Sequence, residues 1–184
     1  MGQAASVPRS IDDIFLQARE GDAAAFADLV RAHEAMVFSL ARHFVGNRES
    51  AEDLAQEVFL ELHRNLACVE SAAHLTFWLR RVTSHRSIDR LRRQAVRPEV
   101  AAEHVAEPGA SSVMPDVFLE SRLRQLVDAL PSHARLVVVL RYQEDLDPSE
   151  IADTLGMSIN TVKSHLRRAL DRLRCGLSES GGGL

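Results

Sequence analysis

The fold of this chain is decided by the stretch Asp147-Pro-Ser-Glu-Ile-Ala-Asp-Thr-Leu-Gly156 and its continuation Met157-Ser-Ile-Asn-Thr-Val-Lys-Ser-His-Leu-Arg-Arg168. Asp147 is a suitable helix N-cap, Pro148 fits the first helical position, and Glu150 completes a capping box. Gly156 ends this helix, because glycine adopts the left-handed conformation without steric cost. The stretch therefore predicts two helices joined by a tight turn.

The second of these helices has an apolar face and a basic face. Ser158 is its predicted N-cap, and its apolar residues recur at helical spacing: Val162, Leu166, Leu170 and Leu173. Its other face carries side chains that reach base edges and phosphates: Asn160, Lys163, Ser164, Arg167 and Arg168. This pattern predicts a helix-turn-helix whose second helix enters a DNA major groove.

The alternative is an ordinary helical hairpin with a solvated basic face. Against it, one acid alone, Asp171, offsets the cations Lys163, Arg167, Arg168, Arg172 and Arg174. Caps, turn and charge agree, which favours DNA binding.

Composition excludes several classes of protein. A length of 184 residues allows one ordinary domain or two small ones, and the net charge of −4 means that the basic residues are segregated within an acidic chain. The two cysteines, Cys68 and Cys175, lack zinc or disulfide spacing and indicate a reducing compartment. Without a signal peptide or an apolar run of membrane length, we expect a cytoplasmic protein with no membrane insertion, metal or cofactor.

Helical periodicity predicts an all-α protein of two small helical domains joined by a flexible linker. The first domain spans 10–95 and contains four helices. Residues 96–117 are rich in Pro, Ser and Glu and predict an acidic linker. The second domain spans 118–176 and contains the helix-turn-helix, and residues 177–184 predict a disordered tail.

Two successive helices of the first domain carry opposite charge. Residues 49–63 contain five acids and no Lys or Arg: Glu49, Glu52, Asp53, Glu57 and Glu61. Residues 78–97 contain seven arginines and one acid, Asp89. One helix suits a basic protein partner and the other suits nucleic acid. The alternative is a pair of solvated faces that compensate each other.

These motifs resemble those of a known family. The segments Asp53-Leu-Ala-Gln-Glu-Val-Phe-Leu60, Phe77-Trp-Leu-Arg-Arg-Val82 and Ser87-Ile-Asp-Arg-Leu-Arg-Arg93 look like region two of bacterial sigma factors. Leu130-Pro131, Leu140-Arg-Tyr142, Glu150-Ile-Ala152, Leu155-Gly156 and Thr161-Val-Lys-Ser164 look like region four. With only these two regions, the chain resembles the extracytoplasmic-function (ECF) class of the sigma-seventy family.

The resemblance implies a non-enzymatic subunit of RNA polymerase that recognises promoters and helps to melt them. It implies binding to the clamp helices and flap of the large polymerase subunits, to promoter DNA and to an anti-sigma factor. The implied clamp contacts are Asp53, Leu54, Gln56 and Glu57. The implied minus-ten contacts are Arg80, Arg81, Ser84, His85, Arg86, Asp89, Arg90, Arg92 and Arg93. The implied minus-thirty-five contacts are Ser158, Asn160, Thr161, Lys163, Ser164, Arg167 and Arg168.

The resemblance also places a base flipped out of the non-template strand in the loop from about Asn65 to His74. A flipped base needs a pocket and compensation for its lost stacking, which Phe77 or Trp78 could supply. A Trp within a Leu/Val stripe is more often part of a core, and we expect this of Trp78. Three residues depart from the family pattern, His85, Asn160 and His165, and they predict an unusual promoter preference.

Two other classes of function compete with this interpretation. A stand-alone regulator that binds duplex DNA as a dimer would need a sensor or dimerisation domain where this chain has a second arginine-rich helix. An enzyme acting on nucleic acid would need clustered carboxylates or His/Cys ligands in a cleft. The acids of residues 49–61 lie on several faces of one helix, so the sequence indicates no catalytic residues and no metal site.

Overall fold

The computed structural model describes residues 9–45, 47–96 and 116–178, and within these ranges the regular structure is helical. In chain order the helices are α1 (Ile11–Arg19), α2 (Ala23–Arg42), α3 (Arg48–Asn65), a short 3-10 helix (Leu66–Cys68), α4 (Ala72–Val96), α5 (Asp116–Asp128), α6 (Ser132–Tyr142), α7 (Pro148–Leu155) and α8 (Ile159–Ser178). No strand occurs in the described ranges, which confirms the all-α prediction.

The helices of the first lobe, α1 to α4, begin at side-chain caps. Ser10 and Asp13 form a capping box at α1, and the Asp22 carboxylate accepts hydrogen bonds from the first backbone N–H groups of α2. The Asn47 side chain caps α3 through the Ser50 N–H at 2.7 Å. Gly21, with φ of 97°, turns the chain between α1 and α2. Each cap satisfies donors that a helix start would otherwise leave unpaired.

The main apolar cluster of the first lobe holds its four helices together. It contains Phe15, Leu29, Val58, Leu62 and Leu79, all at most 2% exposed. His33 is also buried, and its ring nitrogens lie 2.9 Å from the Leu29 carbonyl and 3.3 Å from the Thr76 hydroxyl. Burial with both nitrogens partnered makes this histidine part of the core.

The second lobe, α5 to α8, contains the predicted helix-turn-helix. Asp147 caps α7 in a capping box with Glu150, and Pro148 occupies the first turn. Gly156 has φ of 63° and ψ of 36°, the left-handed conformation expected of it. The Ser158 hydroxyl accepts the Thr161 N–H at 3.1 Å at the start of α8. These contacts confirm the predicted caps and turn.

The two lobes pack against each other. One apolar cluster joins Leu40, Phe44 and Ile88 of the first lobe to residues of the second that include Leu136 and Ile151. Next to it, the Arg80 guanidinium pairs with the Glu144 carboxylate at 3.0 Å, and Arg135 donates to the His43 carbonyl at 3.1 Å. The lobes are therefore joined by both apolar and polar contacts, which the sequence did not predict.

The chain segment between the lobes was predicted to be a linker over 96–117. Helix α4 extends to Val96 and α5 begins at Asp116, so the helices enter the predicted linker at both ends. Its remainder, 97–115, lies outside the described residues. Helix α8 also continues to Ser178, beyond the predicted start of the tail, and residues 179–184 are outside the described part.

Candidate polymerase and nucleic-acid interfaces

Helix α8 presents the predicted recognition residues to solvent. Exposed side chains are those of Ser158, Asn160, Thr161, Lys163, Arg167 and Arg168, whereas Ser164 is half-buried. The Ser158 and Thr161 hydroxyls lie 2.8 Å apart in the helix cap. Lys163 and Arg167 lie one helical turn apart and are both exposed, so they share one accessible face of the helix.

The acidic helix α3 exposes Asp53, Gln56 and Glu57 but buries Leu54. Leu54 is 1% exposed and packs with Ala41, Val45 and Ala51 in a small apolar cluster. Its side chain therefore supports the helix from behind and is not at the surface predicted to bind polymerase.

Leu60 is a surface residue that the sequence analysis missed. It is 57% exposed and lies seven residues after Asp53. Residues spaced by three, four and seven share one face of a helix, so Leu60 lies beside Gln56 and Glu57. This spacing can be read from the sequence. It places Leu60, and not Leu54, on the same face of α3 as Asp53, Gln56 and Glu57. We call Asp53, Gln56, Glu57 and Leu60 the acidic face.

Helix α4 has an outward stripe of polar residues spaced by four. The stripe consists of Arg81, His85, Asp89 and Arg93, and all four are exposed. Arg92 lies beside it, 64% exposed, with its guanidinium 3.9 Å from the Asp89 carboxylate. These residues can reach nucleic acid without rearrangement.

A groove of about 540 Å³ runs along this stripe. Its wall combines aromatic and charged groups: Glu61, His74, Phe77, Trp78, Arg81, Val82, His85, Arg86, Asp89 and Arg93. Trp78 lines the groove and also packs against the first core, so the predicted core role is confirmed only in part. Aromatic faces beside cations suit stacked bases and a phosphate backbone.

The remaining predicted minus-ten residues of α4 are engaged inside the protein. Ser84 is fully buried, and its hydroxyl finds no hydrogen-bond partner among the described residues. In this conformation it is not available to DNA, which corrects the expectation from the sequence. Arg80 is 23% exposed and is held by Glu144 of the second lobe, while Arg86 and Arg90 are held by α3.

The loop predicted to receive a flipped base is braced by local hydrogen bonds. Asn65 donates to the Glu61 carbonyl at 2.8 Å, and the Ser71 hydroxyl accepts the His74 N–H at 3.1 Å. Val69 is 1% exposed and anchors the loop to the first core. The His74 and Phe77 rings lie 6.2 Å apart at the junction of loop and groove.

Two histidines at the boundary between the lobes have altered acidity. Burial lowers the pKa of His43. The Asp128 carboxylate and the hydrogen bond with Gln143 raise this pKa, but by less than burial lowers it. Burial lowers the pKa of His133 as well, and the Arg92 and His165 charges act in the same direction. Both rings are therefore favoured in the neutral form while the lobes are packed.

Two features are absent from the described ranges. No group of three or more His, Cys, Asp or Glu side chains is arranged there to hold a metal ion. No helix in those ranges is long and apolar enough to cross a membrane.

Known solved structures share this fold. A chain titled as CnrH in complex with the cytosolic domain of CnrY superposes with a TM-score of 0.68 at 22% identity and covers 92% of this chain and 99% of its own. The sigma factor RpoE in complex with the anti-sigma factor NepR, from Bartonella quintana, gives a TM-score of 0.69 at 20% identity over 83% of this chain and 96% of its own.

Sequence comparison identifies the family. Residues 29–97 match Sigma-70 region 2, and residues 120–173 match Sigma-70, region 4. The ECF RNA polymerase sigma factor SigW of Bacillus subtilis (strain 168) is 30% identical over 171 residues, covering 86% of this chain and 91% of that protein. The ECF RNA polymerase sigma factor SigE of Mycolicibacterium smegmatis is 35% identical over 165 residues, covering 84% of this chain and 63% of that protein. The chain therefore belongs to the ECF RNA polymerase sigma factors of the sigma-seventy family.

Proposed function

We propose that this sigma factor divides its work among three helices: α3 binds core RNA polymerase, α4 binds the minus-ten element, and α8 reads the minus-thirty-five element. The observation that carries the proposal is that an acidic surface on α3 and the exposed arginine-bearing faces of α4 and α8 lie on three different helices. The protein acts as an initiation factor with no catalytic residue of its own, in the cytoplasm, where polymerase and promoter DNA are found.

The acidic face of α3 combines charge with an exposed apolar centre. Asp53 and Glu57 attract a basic partner and set its orientation, while Leu60 offers apolar area that a partner can bury. Complete burial of a leucine contributes about 1.5–3 kcal/mol, so Leu60 is the expected energetic centre of this contact. Leu54 holds the helix in place from the core.

Promoter binding uses the outward stripe of α4 and the exposed face of α8. Arg81 and Arg93 lie on the groove whose aromatic wall can stack bases of a separated strand. Lys163 and Arg167 lie on a capped helix suited to duplex DNA. We therefore assign strand melting to α4 and duplex reading to α8.

The packed lobes give an anti-sigma factor a possible point of action. Arg80 can contact DNA only when Glu144 releases it, so promoter binding through Arg80 requires the lobes to separate. A protein that binds both lobes at once would keep them together. The structural relative RpoE, solved in complex with the anti-sigma factor NepR, supports such a partner for this chain.

Core binding is tested with charge reversal on the acidic face. Asp53→Lys should lower the affinity for core polymerase, measured by titration, about tenfold or more, because like charges then face each other. Glu34→Lys is the matched control: it reverses an exposed acid of the same lobe on α2 and should leave core affinity unchanged. Equal effects of the two variants would contradict the assignment of this face.

Promoter functions are tested on holoenzyme by permanganate footprinting. The Lys163→Ala/Arg167→Ala variant should lose closed complexes, at a cost of about 1–3 kcal/mol for each base contact. The Arg81→Ala/Arg93→Ala variant should still dock but show weak permanganate reactivity at the melted region. If the α4 variant melts the promoter normally and fails only to dock, the division of labour is wrong. Tight, specific binding of duplex by the isolated chain as a dimer would favour a stand-alone regulator instead.

A further inference from the structure

Helices α3 and α4 are joined by a network of charged hydrogen bonds. The Arg86 guanidinium donates from Nε to a Glu61 carboxylate oxygen at 2.7 Å and from Nη1 to Glu57 at 3.1 Å. Arg90 donates to the Ser50 carbonyl at 2.6 Å, and its other terminal nitrogen lies 3.7 Å from Glu57. Glu57 is thus shared by two arginines of the neighbouring helix.

This network connects two surfaces that were assigned separately. Glu57 belongs to the acidic face proposed to bind polymerase. Arg86 lines the groove proposed to bind the minus-ten strand, and Glu61 lies in the wall of the same groove. The Arg86–Glu57 ion pair therefore links the two surfaces, and binding at one alters the charges available at the other.

The ion pairs of this network are partly exposed to solvent, so their members can exchange one partner for another. The Arg86, Glu57 and Glu61 side chains are all between 32% and 48% exposed. Ion pairs as exposed as these each contribute about 0–1 kcal/mol, so a partner that offers better contacts can break them. When Glu57 leaves, Arg86 keeps its Nε and Nη2 contacts with Glu61 and Arg90 keeps its bond to the Ser50 carbonyl, so each arginine gains one free terminal nitrogen.

We propose that Glu57 alternates between the α4 arginines and polymerase, so that core binding frees Nη1 of Arg86 and Nη2 of Arg90 to hold promoter DNA. The proposal rests on the function assigned to the acidic face and extends it. In the free protein, Glu57 and Glu61 occupy the guanidinium donors that phosphates would use. Basic groups of polymerase that attract Glu57 remove this competitor. Coupling between two binding sites is reciprocal, so promoter DNA must also strengthen core binding.

The test measures DNA binding by the free full-length protein. The Glu57→Gln/Glu61→Gln variant removes the competing charges while keeping side-chain size. Its affinity for a single-stranded oligonucleotide should rise several-fold at low salt. The plot of log Kobs against log salt should steepen by about 1.4, since each phosphate contact contributes about 0.7 on single strands.

Two control proteins separate release of the arginines from a simple change of net charge. Glu34→Gln/Glu49→Gln removes two exposed acids of the same lobe outside this network and should steepen the slope much less. Adding Arg86→Ala/Arg90→Ala to the Glu57→Gln/Glu61→Gln protein should abolish the gain, because no released cation remains.

Two results would overturn the proposal: an equal gain in the Glu34→Gln/Glu49→Gln control, or a gain that survives the loss of both arginines. Neither result touches the assigned function, which is measured separately by core titration and promoter melting with the unmodified protein. If the unmodified protein failed to bind core polymerase, the function itself would be wrong whatever the outcome of the DNA assay.

Discussion

The contact between Arg80 and Glu144 offers a direct test of whether the lobes are held together by specific groups. Glu144 is 11% exposed and Arg80 is 23% exposed. Glu144→Gln removes the negative charge but keeps the shape, and it leaves a largely enclosed guanidinium without its counter-ion. Breaking a fully buried pair costs about 3–5 kcal/mol, whereas breaking an exposed pair costs about 0.2–1 kcal/mol.

Intermediate burial places the expected cost of Glu144→Gln at about 1–2 kcal/mol. A change of that size lowers the ratio of packed to separated lobes about 5–30-fold. The apolar cluster that contains Leu40, Phe44 and Leu136 remains intact in the variant, so each lobe should stay folded.

The chain carries a natural pair of labelling sites for this measurement. Cys68 lies in the first lobe and Cys175 in the second, and both are free and exposed. Donor and acceptor dyes on these thiols report lobe separation by single-molecule energy transfer. The Glu144→Gln variant should show a larger low-transfer population, which adding core polymerase to the unmodified protein should also produce.

Glu120→Gln is the control for this prediction. Glu120 pairs with Arg124 within α5, and both side chains are more than half exposed. Its loss should change the packed population by less than about twofold, given the small energies of such pairs. If Glu144→Gln behaves like this control, the ion pair is incidental and apolar packing alone joins the lobes.

Three further predictions concern stability. His43 and His133 have lowered pKa values, so the unfolded chain binds protons more readily than the folded protein does. Stability is therefore full above pH 6.5, the ordinary histidine pKa, and falls as the pH drops from there to the lower folded pKa values. Urea titration at a series of pH values spanning 6.5 should show this fall, and a His43→Gln/His133→Gln variant should flatten it. Ile151→Ala should lower the free energy of unfolding by about 2–5 kcal/mol in the same assay, because Ile151 is fully buried. Gly156→Ala should cost about 1–2 kcal/mol, since φ of 63° strains any side chain even though space is open, and a Tm equal to that of the unmodified protein would contradict this.

Local signals were sufficient to predict the helices and their caps. The capping box of Asp147 and Glu150, the left-handed Gly156 and the Ser158 cap depend only on residues close in sequence. Hydrophobic spacing likewise predicted the four helices of the first lobe. Such features were recoverable because the physical partners lie within one helical turn of each other.

Partner choice among charged side chains was not recoverable from the sequence. The arginines of α4 look equivalent in the sequence, yet Arg81 and Arg93 point outward while Arg80 is held by a residue 64 positions away. Which cation is free depends on how helices pack, and that information is tertiary. Leu54 is buried and Leu60 is exposed because they lie on different faces of α3. A match to a sequence motif does not record which face of the helix a residue occupies.

Counting arginines therefore overstates the DNA affinity of the free protein. Arg81 and Arg93 can meet DNA in the packed state, but Arg80 becomes available only when the lobes separate. Arg86 and Arg90 each gain a free terminal nitrogen, on our proposal, only when Glu57 binds polymerase instead. A chain with net charge −4 that also neutralises its own cations has little long-range attraction for DNA. Polymerase binding then does more than deliver the factor to a promoter, because it releases the charges that hold the promoter.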